Sequence, residues 1–328
     1  MRIAILDDYQ NVALGYADWK GLPGSPEITV FTEHIARHEL LAATLRPFDV
    51  IVAMRERTAF PAGLLALLPD LKLLVTTGMG NAAIDLDAAR ERAITVCGTN
   101  GVTEATAELT WGLILALVRH IPEEDRRMRA SAGAGGAAVS VRGGWQRTVG
   151  MDLHGRRLGV AGLGRQGRQV AKYGQAFGMQ VLAWSQHLDP DQARQAGAEP
   201  VSKEQLFARS DVVSVHYKLS PRSTGLIGAA EFALMKPTAY LVNTSRGPIV
   251  DHDALVTALR DGQIAGAGLD VYDTEPLPLG DPLRSAPNTV LTPHIGYVTD
   301  DTYQVFFGDA VADIAAYLDG HPVRVLNG

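Results

Sequence analysis

Residues Leu158-Gly159-Val160-Ala161-Gly162-Leu163-Gly164-Arg165-Gln166-Gly167 carry an apolar run straight into a glycine-rich turn. A helical pattern follows over 168–177, then a second apolar run over 180–184. Glycine-rich turns are common, but a GxGxxG set between a strand and a helix, in a unit of βαβ size, is restrictive. There Gly162 permits the tight turn, Gly164 lets the backbone approach a pyrophosphate, and Gly167 allows close helix–strand packing. The free N–H groups and dipole of the helix N-terminus favour the anion. Arg165 and Gln166 lie inside the turn, where Arg165 can face the pyrophosphate. The turn predicts a dinucleotide site in a parallel α/β sheet.

The rest of the chain repeats this alternation. Apolar strands are expected at 3–6, 28–31, 50–53, 73–76 and 94–97, with helices at 38–45, 62–68 and 86–92. Continuous apolar strands separated by helices imply a parallel sheet covered on both faces. A long helix is expected over 103–120, with Glu104 and Glu108 early and Arg119 and His120 late, as the helix dipole favours. The Ala/Gly-rich segment 130–144 has no periodic pattern and reads as a loop or arm. Further strands follow at 158–161, 181–184, 212–217, 239–243, 266–271 and 290–292, and a closing helix at 302–318. The fold class is α/β, with two doubly wound parallel-sheet domains, for which 328 residues suffice.

Composition narrows the function. A formal net charge of −6 gives no support to nucleic-acid binding, and no apolar run is long enough to span a bilayer. Cys97 is the only cysteine, which excludes an internal disulfide and a thiolate metal cluster and fits a cytoplasmic protein. It reads as a small buried hydrophobe, and no metal is expected.

Functional residues of open parallel sheets gather at the carboxyl ends of strands. After 239–243 comes Thr244-Ser245-Arg246-Gly247; after 266–271 comes Tyr272-Asp273-Thr274-Glu275; after 290–292 comes Pro293-His294-Ile295-Gly296. Alone, each of Arg246, Glu275 and His294 reads as a solvated charge, a turn residue or a structural histidine. Arriving together beside a dinucleotide turn, they suit one chemistry. A nicotinamide carries a hydride and no proton, so ketone reduction also needs a proton donor. Histidine titrates near neutrality, a carboxylate beside it favours the imidazolium, and arginine can clamp a substrate carboxylate at two points.

In these blocks, in this order, the chain resembles the D-isomer-specific 2-hydroxyacid dehydrogenase family. The likeness includes Leu71-Lys72-Leu73 and Thr106-Ala107-Glu108-Leu109 and extends over nearly the whole sequence. The resemblance implies a flavodoxin-like substrate domain, 1–100 and 294–328, with a Rossmann coenzyme domain, 101–293, inserted into it. It implies that Arg246 binds substrate, that His294 is the acid/base and that Glu275 is its partner. Gly78, Met79 and Gly80 would offer backbone N–H groups to the substrate carboxylate. Thr106 and Asp270 would flank the nicotinamide, and Thr244 and Gly296 are assigned to the cofactor as well. A homodimer is implied, through the helix at 103–120 and the arm after it.

Three positions depart from the family pattern. Where NAD-specific members carry an acidic residue after the second coenzyme-domain strand, this chain has Ser185, followed by Gln186 and His187. Ser185 would not repel a 2′-phosphate and could donate a hydrogen bond to it, which favours NADP over NAD, although no arginine stands there. Tyr297 either narrows the mouth of the site or packs on the hinge. Arg55 either points at the substrate or is a surface charge. The expected activity is hydride transfer between NAD(P)H and a small 2-oxo acid, of the glyoxylate or hydroxypyruvate kind or larger, giving the D-2-hydroxy acid. The alternative is a dinucleotide-sensing, corepressor-like protein, against which the intact Arg/Glu/His set argues. Glu275 argues against a formate dehydrogenase, where Gln would be expected.

Overall fold

The computed structural model describes residues 1–131 and 145–328. The chain divides into two compact units, one formed by Met1–Val102 with Val298–Gly328 and the other by Thr103–Tyr297.

In the first unit the strands are β1 (Arg2–Ile5), β2 (Glu27–Val30), β3 (Val50–Ala53), β4 (Leu73–Thr76) and β5 (Thr95–Gly98). They form a parallel sheet in the order β2-β1-β3-β4-β5, the flavodoxin-like doubly wound order. Every residue of β3 and β4 is buried, which is why these strands read as unbroken apolar runs. Leu45, Phe48, Phe60, Leu64 and Leu68 form the core with Ile51, Leu74 and Val96. The closing helix, Asp300–Leu318, belongs to this unit, and the tail after it is tied to β5 by Leu326 N–H to Val96 O at 2.8 Å.

In the second unit the strands are β6 (Arg157–Ala161), β7 (Gln180–Trp184), β8 (Ala198–Pro200), β9 (Val212–Val215), β10 (Tyr240–Asn243), β11 (Gly266–Leu269) and β12 (Thr289–Leu291). Their parallel order is β12-β11-β10-β9-β6-β7-β8, so strand order reverses between β6 and β9, where such sheets bind ligands. One face is covered by Trp111, Leu113, Leu117, Val170 and Ala171, the other by Leu206, Phe207, Phe232 and Leu255. In β11, Gly268 lets the helix Glu104–Val118 pack closely, since Leu113 and Leu117 side-chain atoms lie 3.1 Å from where its Cβ would be.

The helix expected over 103–120 is present as Glu104–Val118; His120 then takes a left-handed backbone (φ +50°), and a second helix, Ile121–Ser131, follows. The second helix extends into the segment expected to be a loop; the remainder of that segment, 132–144, lies outside the described residues. The three-residue β8, Ala-Glu-Pro, escaped sequence reading because it is short and carries a proline.

Candidate active site

The glycine turn joins β6 to the helix Arg165–Ala176. Gly162 has φ +98°, and a Cβ there would stand 2.6 Å from the backbone oxygen of His216, so only glycine fits. Gly164 starts the helix with no side-chain cap, and nothing lies within 4 Å of where its Cβ would be. Three other helices of the unit are capped by side chains, those of Asp189, Ser202 and Asp251, whereas Glu104–Val118 and Ala229–Leu234 are not. The amide oxygen assigned to Gln166 is buried without a hydrogen-bond partner among the described residues. An uncapped helix end over open space, with an unused polar atom beside it, fits a bound pyrophosphate. Arg165 is exposed, 3.5 Å from Thr103 Oγ1.

Arg246, Glu275 and His294 follow β10, β11 and β12, three adjacent strands. Asn243 shapes the first loop: its amide donates to Arg246 O at 2.9 Å and accepts Ser245 N–H at 3.0 Å. The half-buried Arg246 donates from Nη1 to Ser245 O at 2.7 Å. Gly247 lets the loops meet, since a Cβ there would stand 2.1 Å from the backbone carbon of Tyr272. Burial pushes the Tyr272 phenol well above its ordinary pKa, so it stays protonated and donates to Thr292 O (2.9 Å) and Leu269 O (3.1 Å). Glu275 is held by Tyr272 N–H at 2.9 Å on one oxygen and lies 2.5 Å from His294 Nδ1 with the other.

Asp270 is buried and organises the turn that carries His294. Its carboxylate accepts Thr292 Oγ1 (2.6 Å), Ile295 N–H (2.8 Å) and Gly296 N–H (2.9 Å). Burial raises its pKa, opposed by these bonds and by His294. Thr106 donates to Gly296 O at 3.0 Å, and the ring of Tyr297 stands edge-on to His294 at 5.4 Å. Thr244 is buried with its hydroxyl 2.8 Å from that of Thr110. Asn243, Tyr272 and Thr292 carry no charge, so sequence reasoning passed them over; their position at the same three strand ends was the available signal.

Ser185, after β7, accepts Leu163 N–H at 3.2 Å, so its oxygen is already engaged with the glycine turn. In the first unit, Arg55 is half-buried at φ +51° and its Nη1 donates to Thr77 O at 3.3 Å; its guanidinium fills the space over Gly78. The expectation that Gly78 offers an N–H to substrate is corrected, because Thr99 Oγ1 takes that hydrogen at 2.8 Å. Met79 and Gly80 are exposed. Cys97 is fully buried in β5, and burial pushes its thiol up to about 12.

The sequence profile of the D-isomer specific 2-hydroxyacid dehydrogenase NAD-binding domain matches residues 111–296. The chain belongs to that family and is an NAD(P)-dependent oxidoreductase. It is 41% identical over 294 residues to a glyoxylate reductase of Aeropyrum pernix, covering 88% of this chain and 86% of that one. It is 38% identical over 263 residues to the glyoxylate reductase of Thermococcus litoralis, covering 79% and 78%. The phosphoglycerate oxidoreductase of Vibrio cholerae superposes with a TM-score of 0.89 at 36% identity, covering 98% of this chain and 99% of that one.

Proposed function

We propose that this chain reduces a small 2-oxo acid of the glyoxylate or hydroxypyruvate kind to its D-2-hydroxy acid, with Arg246, Glu275 and His294 as the working residues. The observation that carries the reading is the 2.5 Å pair of His294 Nδ1 and Glu275 Oε2, on the same sheet rim as Arg246 and the glycine turn. With Nδ1 held by Glu275, Nε2 is the nitrogen left to meet the substrate oxygen. The carboxylate holds the ring in place through Nδ1, and Nε2 gives a proton to the carbonyl oxygen as the carbonyl carbon is reduced. Bound nicotinamide supplies the hydride. Arg246 pairs with the substrate carboxylate and fixes which face of the carbonyl is presented; orientation of this kind is worth roughly 7–11 kcal/mol of barrier in total.

Asp270 and Thr106 hold the His294–Gly296 turn, and their place beside it supports contact with the carboxamide as well. Thr244 and Gly296 line the same loops. In the first unit, the substrate is assigned to Arg55 and to the N–H groups of Met79 and Gly80. Tyr297, edge-on to His294, narrows the site. The domain division at 100/101 and 293/294, with the first unit for substrate and the second for coenzyme, belongs to this reading. NADP is favoured over NAD because no carboxylate stands at 185–187. A homodimer through Glu104–Val118 and the elements after it is supported by exposed Ile121, Met128 and Trp145. The single buried thiol supports a cytoplasmic setting. Nothing in the described residues favours the sensing alternative.

The test is a steady-state screen of NADPH and NADH against glyoxylate, hydroxypyruvate and larger branched or aromatic 2-oxo acids at neutral pH. Turnover with the small acids is expected. Binding of both cofactors with no turnover of any 2-oxo acid would overturn the reading.

A further inference from the structure

Tyr217 leaves β9 at the point where strand order reverses, and its side chain crosses the glycine turn. Its ring reaches within 3.1 Å of where a Gly162 Cβ would stand. The hydroxyl accepts Gln186 N–H at 2.7 Å, which places it at the carboxyl end of β7. The ring also packs against Trp184, centroids 5.6 Å apart at 31°. Lys203 Nζ lies 5.8 Å from the Trp184 centroid and is itself tied to Leu226 O and Glu231. The carboxyl end of β7 is where a dinucleotide presents its adenosine ribose.

The end of β7 carries two hydroxyls. Ser185 Oγ accepts Leu163 N–H, and the Tyr217 hydroxyl accepts Gln186 N–H. A phenol that accepts a hydrogen bond keeps its own proton to donate. Ser185 is occupied by the turn, whereas the tyrosine is the longer group and ends at the rim. The nearest carboxylate in that stretch of chain, Asp189, is spent capping the helix Pro190–Gln195.

We propose that Tyr217, rather than Ser185, reads the 2′ position of the adenosine ribose in this chain, by donating a hydrogen bond from its hydroxyl. The inference rests on the dinucleotide reading of the glycine turn and deepens it. A neutral donor accepts both a 2′-hydroxyl and a 2′-phosphate, and gains more from the phosphate, since hydrogen bonds to charged groups are roughly twice as strong. Cofactor choice in this chain then depends on a residue from β9 reaching over β6, not on the residue that ends β7.

Calorimetric titration of the whole chain with 2′,5′-ADP and with 5′-AMP tests this without turnover. Tyr217→Phe keeps the ring against Trp184 and removes only the hydroxyl, and a thermal melt of the variant checks that it is folded. The expected result is about tenfold weaker 2′,5′-ADP binding and less than about threefold weaker 5′-AMP binding, the difference between a charge-assisted and a neutral hydrogen bond. Ser185→Ala is expected to weaken both nucleotides together, because it loosens the turn they share. The proposal is overturned if Tyr217→Phe leaves the ratio of the two affinities unmoved, if it tightens 2′,5′-ADP by freeing Gln186 N–H, or if Ser185→Ala moves the ratio instead. Failure of the unaltered chain to bind either nucleotide overturns the dinucleotide reading together with it.

Discussion

Leaving β1, the first unit places buried Asp7 at φ +56°, with Thr58 Oγ1 donating to its carboxylate at 2.6 Å and His34 Nδ1 3.0 Å away. After β12, the second unit places His294 at φ +53°, 2.5 Å from Glu275. Each sheet rim therefore carries a histidine–carboxylate pair, and each has an arginine in its loops: Arg57 donates to Asp7 O at 2.6 Å, and Arg246 donates to Ser245 O. The surroundings differ. The Asp7 side chain is 2% exposed, whereas that of Glu275 is 31% exposed. Arg57 lies over the ring of Tyr9 at 4.4 Å. The first trio holds its own backbone together; the second stands beside an uncapped helix end over open space. A His–carboxylate pair is thus not diagnostic in itself, and its neighbours decide whether it is structural or chemical.

The largest effect should separate the two histidines. His294→Ala is expected to lower kcat with glyoxylate by about 10²–10⁴-fold at neutral pH, the usual range for a lost general acid. His34→Ala is expected to change it by no more than a few-fold, and equal losses would break the comparison. Next comes Asp7→Ala, which leaves buried donors without an acceptor and should cost about 2–4 kcal/mol of stability, read as a Tm lowered by several degrees. Gly247→Ala should cost about 1–3 kcal/mol, because the new methyl meets the Tyr272 backbone, and should lower kcat as well by parting Arg246 from Glu275. A melt that falls without loss of kcat would show that the two loops need not meet.

The smallest effect is one of pH. Asp313, buried in the first unit, accepts from Arg324 Nε at 3.0 Å, yet burial outweighs the cation and pushes its carboxyl up to about 7. Unfolded, it titrates near about 4. Between these values the unfolded chain releases its proton first, so this group's contribution to stability falls as pH rises from about 4 to about 7 and is level above. Asp313→Asn should flatten that part of the profile of Tm against pH. An unchanged slope would show that the buried carboxyl does not titrate in this window.

Much of this was legible in the sequence. The strands 50–53 and 73–76 coincide with β3 and β4, because strands buried on both faces leave continuous apolar runs. The glycine turn was legible because its spacing is fixed by backbone sterics at Gly162. The helix Ile121–Ser131 was not, since it is mostly charged and shows little apolar periodicity. Nor was the engagement of Gly78 N–H by Thr99, a contact between the ends of neighbouring strands.

Sequence by itself determined the alternation of strands and helices, the glycine turn, and the arrival of Arg246, Glu275 and His294 at strand ends. These follow from local periodicity and from the rule that parallel strands present their carboxyl ends on one side. Tertiary structure alone decided which donors and acceptors are already spent. Asp270 gives its oxygens to the His294 turn, Ser185 to the glycine turn, and Tyr217 crosses from β9 to the end of β7. Hydrogen bonds of this kind join residues far apart in the chain, and their geometry is fixed only when the strands take their order in the sheet.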